Sequence, residues 1–181
     1  MGYIEETGAA QHMRDARITT IYEGTTGIQA NDLVGRKTAR DGGAASRTVI
    51  AEMRGVAAKL REHRDQALHP IGVALEESAV ALSQAVEWVV GNFASQPRAV
   101  YAGAVAYLHL WGLTTGGWQL GRSALIAADQ LAAGQGDATF LRNKIATARY
   151  YALSLLPQAP GYARTVIQGG EPALELASEQ F

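Results

Sequence analysis

Cysteine is absent from the 181 residues, which excludes a disulfide framework, a thiolate nucleophile and a cysteine-held iron–sulfur cluster. A cytoplasmic protein is expected. An excess of one charge is missing too: 16 Lys and Arg stand against 17 Asp and Glu, a formal net charge of −1. With no long basic run, neither nucleic acid nor an anionic lipid surface is an expected partner. A signal peptide is not expected at the amino terminus, because Glu5 and Glu6 interrupt it and no hydrophobic stretch follows. The four histidines, His12, His63, His69 and His109, form no i, i+4 pair, so no metal site is expected. There is no Gly-x-Ser-x-Gly elbow for serine-hydrolase chemistry. Residues 99–121 lack charge apart from His109, yet Thr114, Thr115, Gln119 and several glycines make them too polar for a membrane span. A buried bundle helix explains them, with His109 hydrogen-bonded in the core.

What is present suits a globular helical protein: 48% hydrophobic and 18% charged residues are ordinary for one sizeable core. Val49, Met53, Val56 and Leu60 recur at spacings of four and three and share one helix face. Leu75, Ala79, Leu82, Val86, Val89 and Phe93 repeat the pattern after Pro70, which suits an early helix position. His69, just before it, is expected in a turn. Pro97 opens a third segment carrying Val100, Ala104, Tyr107, Trp111 and Trp118, and Leu141, Ile145, Ala148, Ala152 and Leu155 mark a fourth. Pro157 and Pro160 are expected to end regular helix, and no strand alternation appears. The fold class is therefore all-α: an antiparallel bundle of about four long helices, preceded by a short helical segment.

The apolar stripes are core, including Tyr107, Trp111 and Trp118, because a helical apolar stripe ordinarily packs against its neighbours. Gly112, Gly116, Gly117 and Gly121 cost helix stability. They predict close helix contact or a kink near residues 114–117. Lys59, Arg61 and Arg64 read as a solvated helix face. Residues 38–46, rich in glycine and small residues, read as a linker between a segment at 1–40 and a bundle domain at 41–181. Within the first segment, Glu5 to Arg17 suits a helix with acids at its start and Arg14 and Arg17 at its end. A second helix is expected from Thr26 to Lys37.

The most telling stretch is Ile21-Tyr22-Glu23-Gly24-Thr25-Thr26-Gly27-Ile28-Gln29, where a carboxylate and a flexible glycine precede a helix start. Thr26 and Gln29 have the spacing of a capping box. Exposed N–H groups and the helix dipole there also favour an anion such as a phosphate. The dipole would hold Glu23 ionised, whereas an apolar pocket would raise its pKa toward the range useful for proton abstraction. Read alone, Glu23 is a solvated surface acid.

This stretch resembles the catalytic-base segment of the acyl-CoA dehydrogenases, and Met1 to Ile18 resembles the segment leading to it. Residues past about 40 are similar, more generally, to the extra helical region that ends the longer members. The resemblance implies that Glu23 removes a proton from the carbon next to a thioester carbonyl while a hydride leaves the neighbouring carbon for FAD. The products are a trans-2-enoyl-CoA and reduced flavin. Glu23 and Gly24 are then substrate contacts, and Thr25, Thr26, Gly27 and Gln29 touch FAD. The substrate would be a fatty acyl-CoA or a thioether-bearing acyl-CoA. Family enzymes place an amino-terminal helical domain and a middle β-domain before this point. The chain is thus expected to be inactive alone, and to be a fragment, an excised domain or half of a split enzyme. Association with itself or with the missing domains is expected. The rival reading is a non-catalytic helical interaction module.

Overall fold

The structure, a computed structural model, describes residues 4–21 and 26–175, with the backbone alone at 19–21. Among the described residues there is no strand, as expected of an all-α chain. The first expected helix is broken: Glu5–Thr7 form a 3-10 turn, Gly8 adopts a left-handed φ of 73°, and α1 runs Ala9–Ile21. Gly8 permits the reversal because it has no Cβ to clash. Both Glu5 carboxylate oxygens then accept from Arg14, at 2.7 and 3.1 Å, so the acid meets the basic residue across the turn instead of lying on one helix with it. α2 covers Thr26–Asp32 and continues without interruption as a π-helix over Leu33–Ala39.

The expected linker is a packed turn. Thr38 and Ser46 are buried. Asp41 accepts from the backbone N–H of Gly43 and of Ala45, each at 2.9 Å, and α3 begins at Ala44. The glycines here make a reversal instead of a tether: Gly43, at a φ of 82°, sits against Val86 and Val90 of the next helix.

α3 (Ala44–Glu62) and α4 (His69–Asn92) form an antiparallel hairpin, stapled by ion pairs Arg47–Glu87 and Arg54–Glu76, both at 2.7 Å. His69 is the first residue of α4 and also closes the turn that leads into it, its N–H donating to the Gln66 carbonyl at 3.3 Å, with Pro70 following in the first helical turn as expected. The third segment breaks at Gly103 into α5 (Pro97–Ala102) and α6 (Ala104–Ala132). No break occurs at residues 114–117. α7 (Ala138–Ser154) returns along α6, its N-terminus capped by Asp137, which accepts from Thr139 and Phe140. Beyond a 3-10 turn at Leu156–Gln158, α8 spans Ala159–Gln168. Pro160 starts this helix where the sequence reading had it ending one, since a proline in the first turn has no N–H to waste.

Gly116, Gly117 and Gly121 do mark close helix contact, against Tyr151, Leu156 and Leu60 respectively, whereas nothing lies within 4 Å of where a Gly112 side chain would begin. Two cores run along the bundle. One joins Met53, Leu82, Val86, Tyr107 and Leu110 with Ala30 and Val34 of the motif-bearing segment. The other joins Leu60, Ile71, Leu75, Leu141 and Ala152. Ser78 and Thr114 bond hydroxyl to hydroxyl at 2.8 Å in the interior. No helix among the described residues is long and apolar enough to cross a membrane.

Candidate active site segment

Glu23, Gly24 and Thr25 lie outside the described residues, between the end of α1 at Ile21 and the start of α2 at Thr26. The structure places the other three expected site residues on the first turn of α2. Thr26 is half-buried, while Gly27 and Gln29 face solvent. Nothing stands within 4 Å of where a Gly27 side chain would begin, so a ligand could approach this backbone closely. The described residues fit one wall of a flavin site and enclose no cavity around it. Thr26 is the first residue of α2.

One face of α2 is firmly held. Ala30 and Val34 are fully buried in the first core; Gln29 is turned away from them by helical periodicity, and Gly27, on their side but at the exposed end of the helix, also meets solvent. Just past them, an open groove of about 670 Å³ is lined by Ile28, Asn31, Arg36, Arg40, Phe93 and Tyr101, among others. Asp32 pairs with Arg36 at 2.6 Å and lies 3.9 Å from Lys37. The motif helix therefore carries its own charge pairing and needs no external counter-ion.

The π-helix that follows is fixed from the bundle. Thr38, fully buried, shares a 3.0 Å hydrogen bond with the Tyr107 hydroxyl of α6. Burial pushes the Tyr107 phenol above its ordinary pKa, against the opposing pull of its hydrogen bond with Thr38, so the hydroxyl stays neutral. Tyr101 packs its ring edge-on against Phe93, with centroids 5.6 Å apart. Its hydroxyl occupies the space beside Gly35, where a β-carbon would lie only 2.6 Å away. Neither tyrosine, nor Thr38 or Gly35, was singled out by sequence as serving the motif. A π-turn has no spacing signal of its own, and Tyr107 reads as one more core residue. His109 is exposed and not in the core, stacked on Tyr162 at 5.7 Å.

Residues 1–37 match the family described as acyl-CoA dehydrogenase, C-terminal domain, and residues 49–177 match acetyl-CoA dehydrogenase C-terminal like. The chain belongs to the acyl-CoA dehydrogenase family, to its helical carboxy-terminal part. It is 44% identical over 174 residues to the 3-methylmercaptopropionyl-CoA dehydrogenase of Ruegeria pomeroyi, a match covering 96% of this chain and 29% of that protein. A butyryl-CoA dehydrogenase of Syntrophomonas wolfei is 30% identical, over 99% of this chain and 30% of its own length. The broad-specificity linear acyl-CoA dehydrogenase FadE5 of Mycobacterium tuberculosis is 31% identical, over 86% and 26%. The chain thus spans less than a third of the length of these relatives.

Proposed function

We propose that this chain is the carboxy-terminal part of a flavin-dependent dehydrogenase that oxidises an acyl-CoA thioester to its trans-2-enoyl-CoA, with Glu23 as the base. The observation that carries the proposal is the family match over residues 1–37, which contains Glu23 and the residues around it. Glu23 takes the proton from the carbon beside the thioester carbonyl. The backbone at Glu23 and Gly24 holds the carbonyl oxygen, and this polarisation makes the carbon acidic enough to yield its proton. Bound FAD supplies the hydride acceptor for the neighbouring carbon. Thr25, Thr26, Gly27 and Gln29 contact it, and the exposure of Gly27 and Gln29 leaves them room to do so.

The acyl group is a fatty chain or a thioether-bearing chain, as the names of the relatives suggest. We place the division of labour at residues 1–40, the end of the catalytic helical domain, and 41–181, the bundle domain, a split supported by the ranges of the two family matches. The isolated chain is inactive, because a flavin and a CoA thioester need a concave site with several converging walls and α2 offers one. It works by associating with the remaining domains, in the cytoplasm.

A second reading has an observation of its own: Ile18 and Ile28 are 54% and 64% exposed beside the motif, as on a module kept only for assembly. Absorbance and size of the purified chain, after adding FAD and removing the excess, separate the two. No retained flavin and a tendency to associate through the α1 and α2 face are expected. Flavin that stays bound and bleaches on adding butyryl-CoA would overturn the inactivity of the lone chain, and a strict monomer would sink the assembly module.

A further inference from the structure

We infer that Tyr101 and Tyr107 form a clamp that sets the register of the π-helix at Leu33–Ala39, and through it the orientation of α2, making Tyr107 a positioning residue for the flavin contacts proposed at Gly27 and Gln29. That last link rests on the dehydrogenase reading above.

The two tyrosines flank the helix break at Gly103, one at the end of α5 and the other in the first turn of α6. Both hydroxyls reach the same seven-residue π-helix. Tyr107 bonds Thr38 at 3.0 Å, and Tyr101 fills the space beside Gly35. The target is unusual backbone. π-Helices are rare, mostly single-turn, and concentrate at functional sites. This one follows α2 directly, and its closing hydrogen bond runs to the fifth residue back, Arg40 N–H to Gly35 C=O at 3.1 Å.

An α-helical path through the same residues would rotate each side chain by a fraction of a turn. Thr38 could not then face Tyr107, and its hydroxyl would be buried without a partner, at a cost that opposes the change. Gly35 admits the Tyr101 hydroxyl because it has no side chain. A single hydroxyl–hydroxyl bond and a single missing β-carbon thus select the wider helix. Because α2 and the π-helix are continuous, a change of register in one rotates Gly27 and Gln29 in the other.

Hydrogen exchange of the 181-residue chain tests this without flavin or thioester. Tyr107→Phe strands Thr38, and exchange of amides in residues 33–43 should quicken about tenfold, the factor expected for loss of one buried hydrogen bond, with α7 amides unchanged. In the double variant Tyr107→Phe with Thr38→Val the Thr38 hydroxyl is no longer stranded, although Ser46 and Trp111 still lose the phenol, so the melting temperature should recover part of the way toward the parent while residues 33–43 still exchange fast. Recovery of both would mean an ordinary core hydrogen bond and overturn the clamp, as would acceleration spread evenly over α4 and α7. Gly35→Ala is a separate check: it displaces the Tyr101 hydroxyl and should give the same local acceleration, and unchanged exchange would remove Tyr101 from the clamp. A clamp that passes while Glu23→Gln leaves dehydrogenation intact in an enzyme completed with a relative's flavin-bearing domains would put the error in the functional reading instead.

Discussion

Ser78 on α4 and Thr114 on α6 meet hydroxyl to hydroxyl at 2.8 Å, and the Thr114 hydroxyl is also 2.8 Å from the Leu110 carbonyl one turn back. Thr114 has one proton, which goes to the carbonyl, so Ser78 is the donor in the pair. Both residues are buried, and the polar contact fixes how the two longest helices lie against each other. Thr114→Val should strand the Ser78 hydroxyl and cost about 1–3 kcal/mol, whereas adding Ser78→Ala should recover most of that loss. A double-mutant cycle by urea denaturation reads the coupling, and additive losses would contradict a shared hydrogen bond.

The glycines divide by what surrounds them. A β-carbon at Gly72 would lie 2.6 Å from the Ala57 carbonyl oxygen and 2.9 Å from the Arg61 nitrogen. These are backbone atoms of α3 that cannot swing aside. Gly72→Ala should destabilise by about 1–3 kcal/mol through overpacking. Gly55, inside α3 with nothing within 4 Å, should behave oppositely, Gly55→Ala stabilising by about 0.5–1 kcal/mol through helix propensity. Thermal denaturation of the two variants should shift in opposite directions.

Acid should weaken the turn ahead of α3. The Ala45 N–H foremost, and those of Gly43 and Ala44, hold the Asp41 carboxyl below its ordinary pKa, against a smaller effect of desolvation. A group whose folded pKa is depressed adds stability above its unfolded value, near pH 4, and loses that contribution as the pH falls through the folded value. Glu87 behaves alike, lowered chiefly by its hydrogen bond to Arg47. Stability should therefore fall below about pH 4. Asp41→Asn should be less stable at neutral pH and show a shallower decline, which denaturation across pH 2–7 checks against about the ordinary aspartate value.

Much of this architecture was legible in the spacing of apolar residues. Of the stripe Leu75, Ala79, Leu82, Val86, Val89 and Phe93 all but the last are buried, as are all but the last of Leu141, Ile145, Ala148, Ala152 and Leu155; Phe93 and Leu155 are half-buried. Burial drives both helices, so the pattern carries the information. α8 was missed because Pro160 was read as a breaker, although Ala159, Ala163 and Val166, all buried, have the helical spacing of four and three. The π-helix was not readable, since its register depends on Tyr101 and Tyr107, more than sixty positions along the chain. The same long-range packing anchors the expected linker at 38–46 through its buried residues Thr38, Gly43 and Ser46. Of the candidate site, Glu23 and its neighbours were legible through resemblance alone. Their spacing identified a helix start but no chemistry.

The role of Glu23 is tested most directly in a chimera. The matching carboxy-terminal segment of the Ruegeria pomeroyi 3-methylmercaptopropionyl-CoA dehydrogenase would be replaced by this chain, and flavin bleaching followed in a single turnover on adding the thioester. The account predicts a flavin-loaded chimera that bleaches, and a Glu23→Gln version that keeps its flavin and bleaches at least about a hundredfold more slowly, the lower end of what a general base contributes. Bleaching at an undiminished rate in flavin-loaded Glu23→Gln would contradict it.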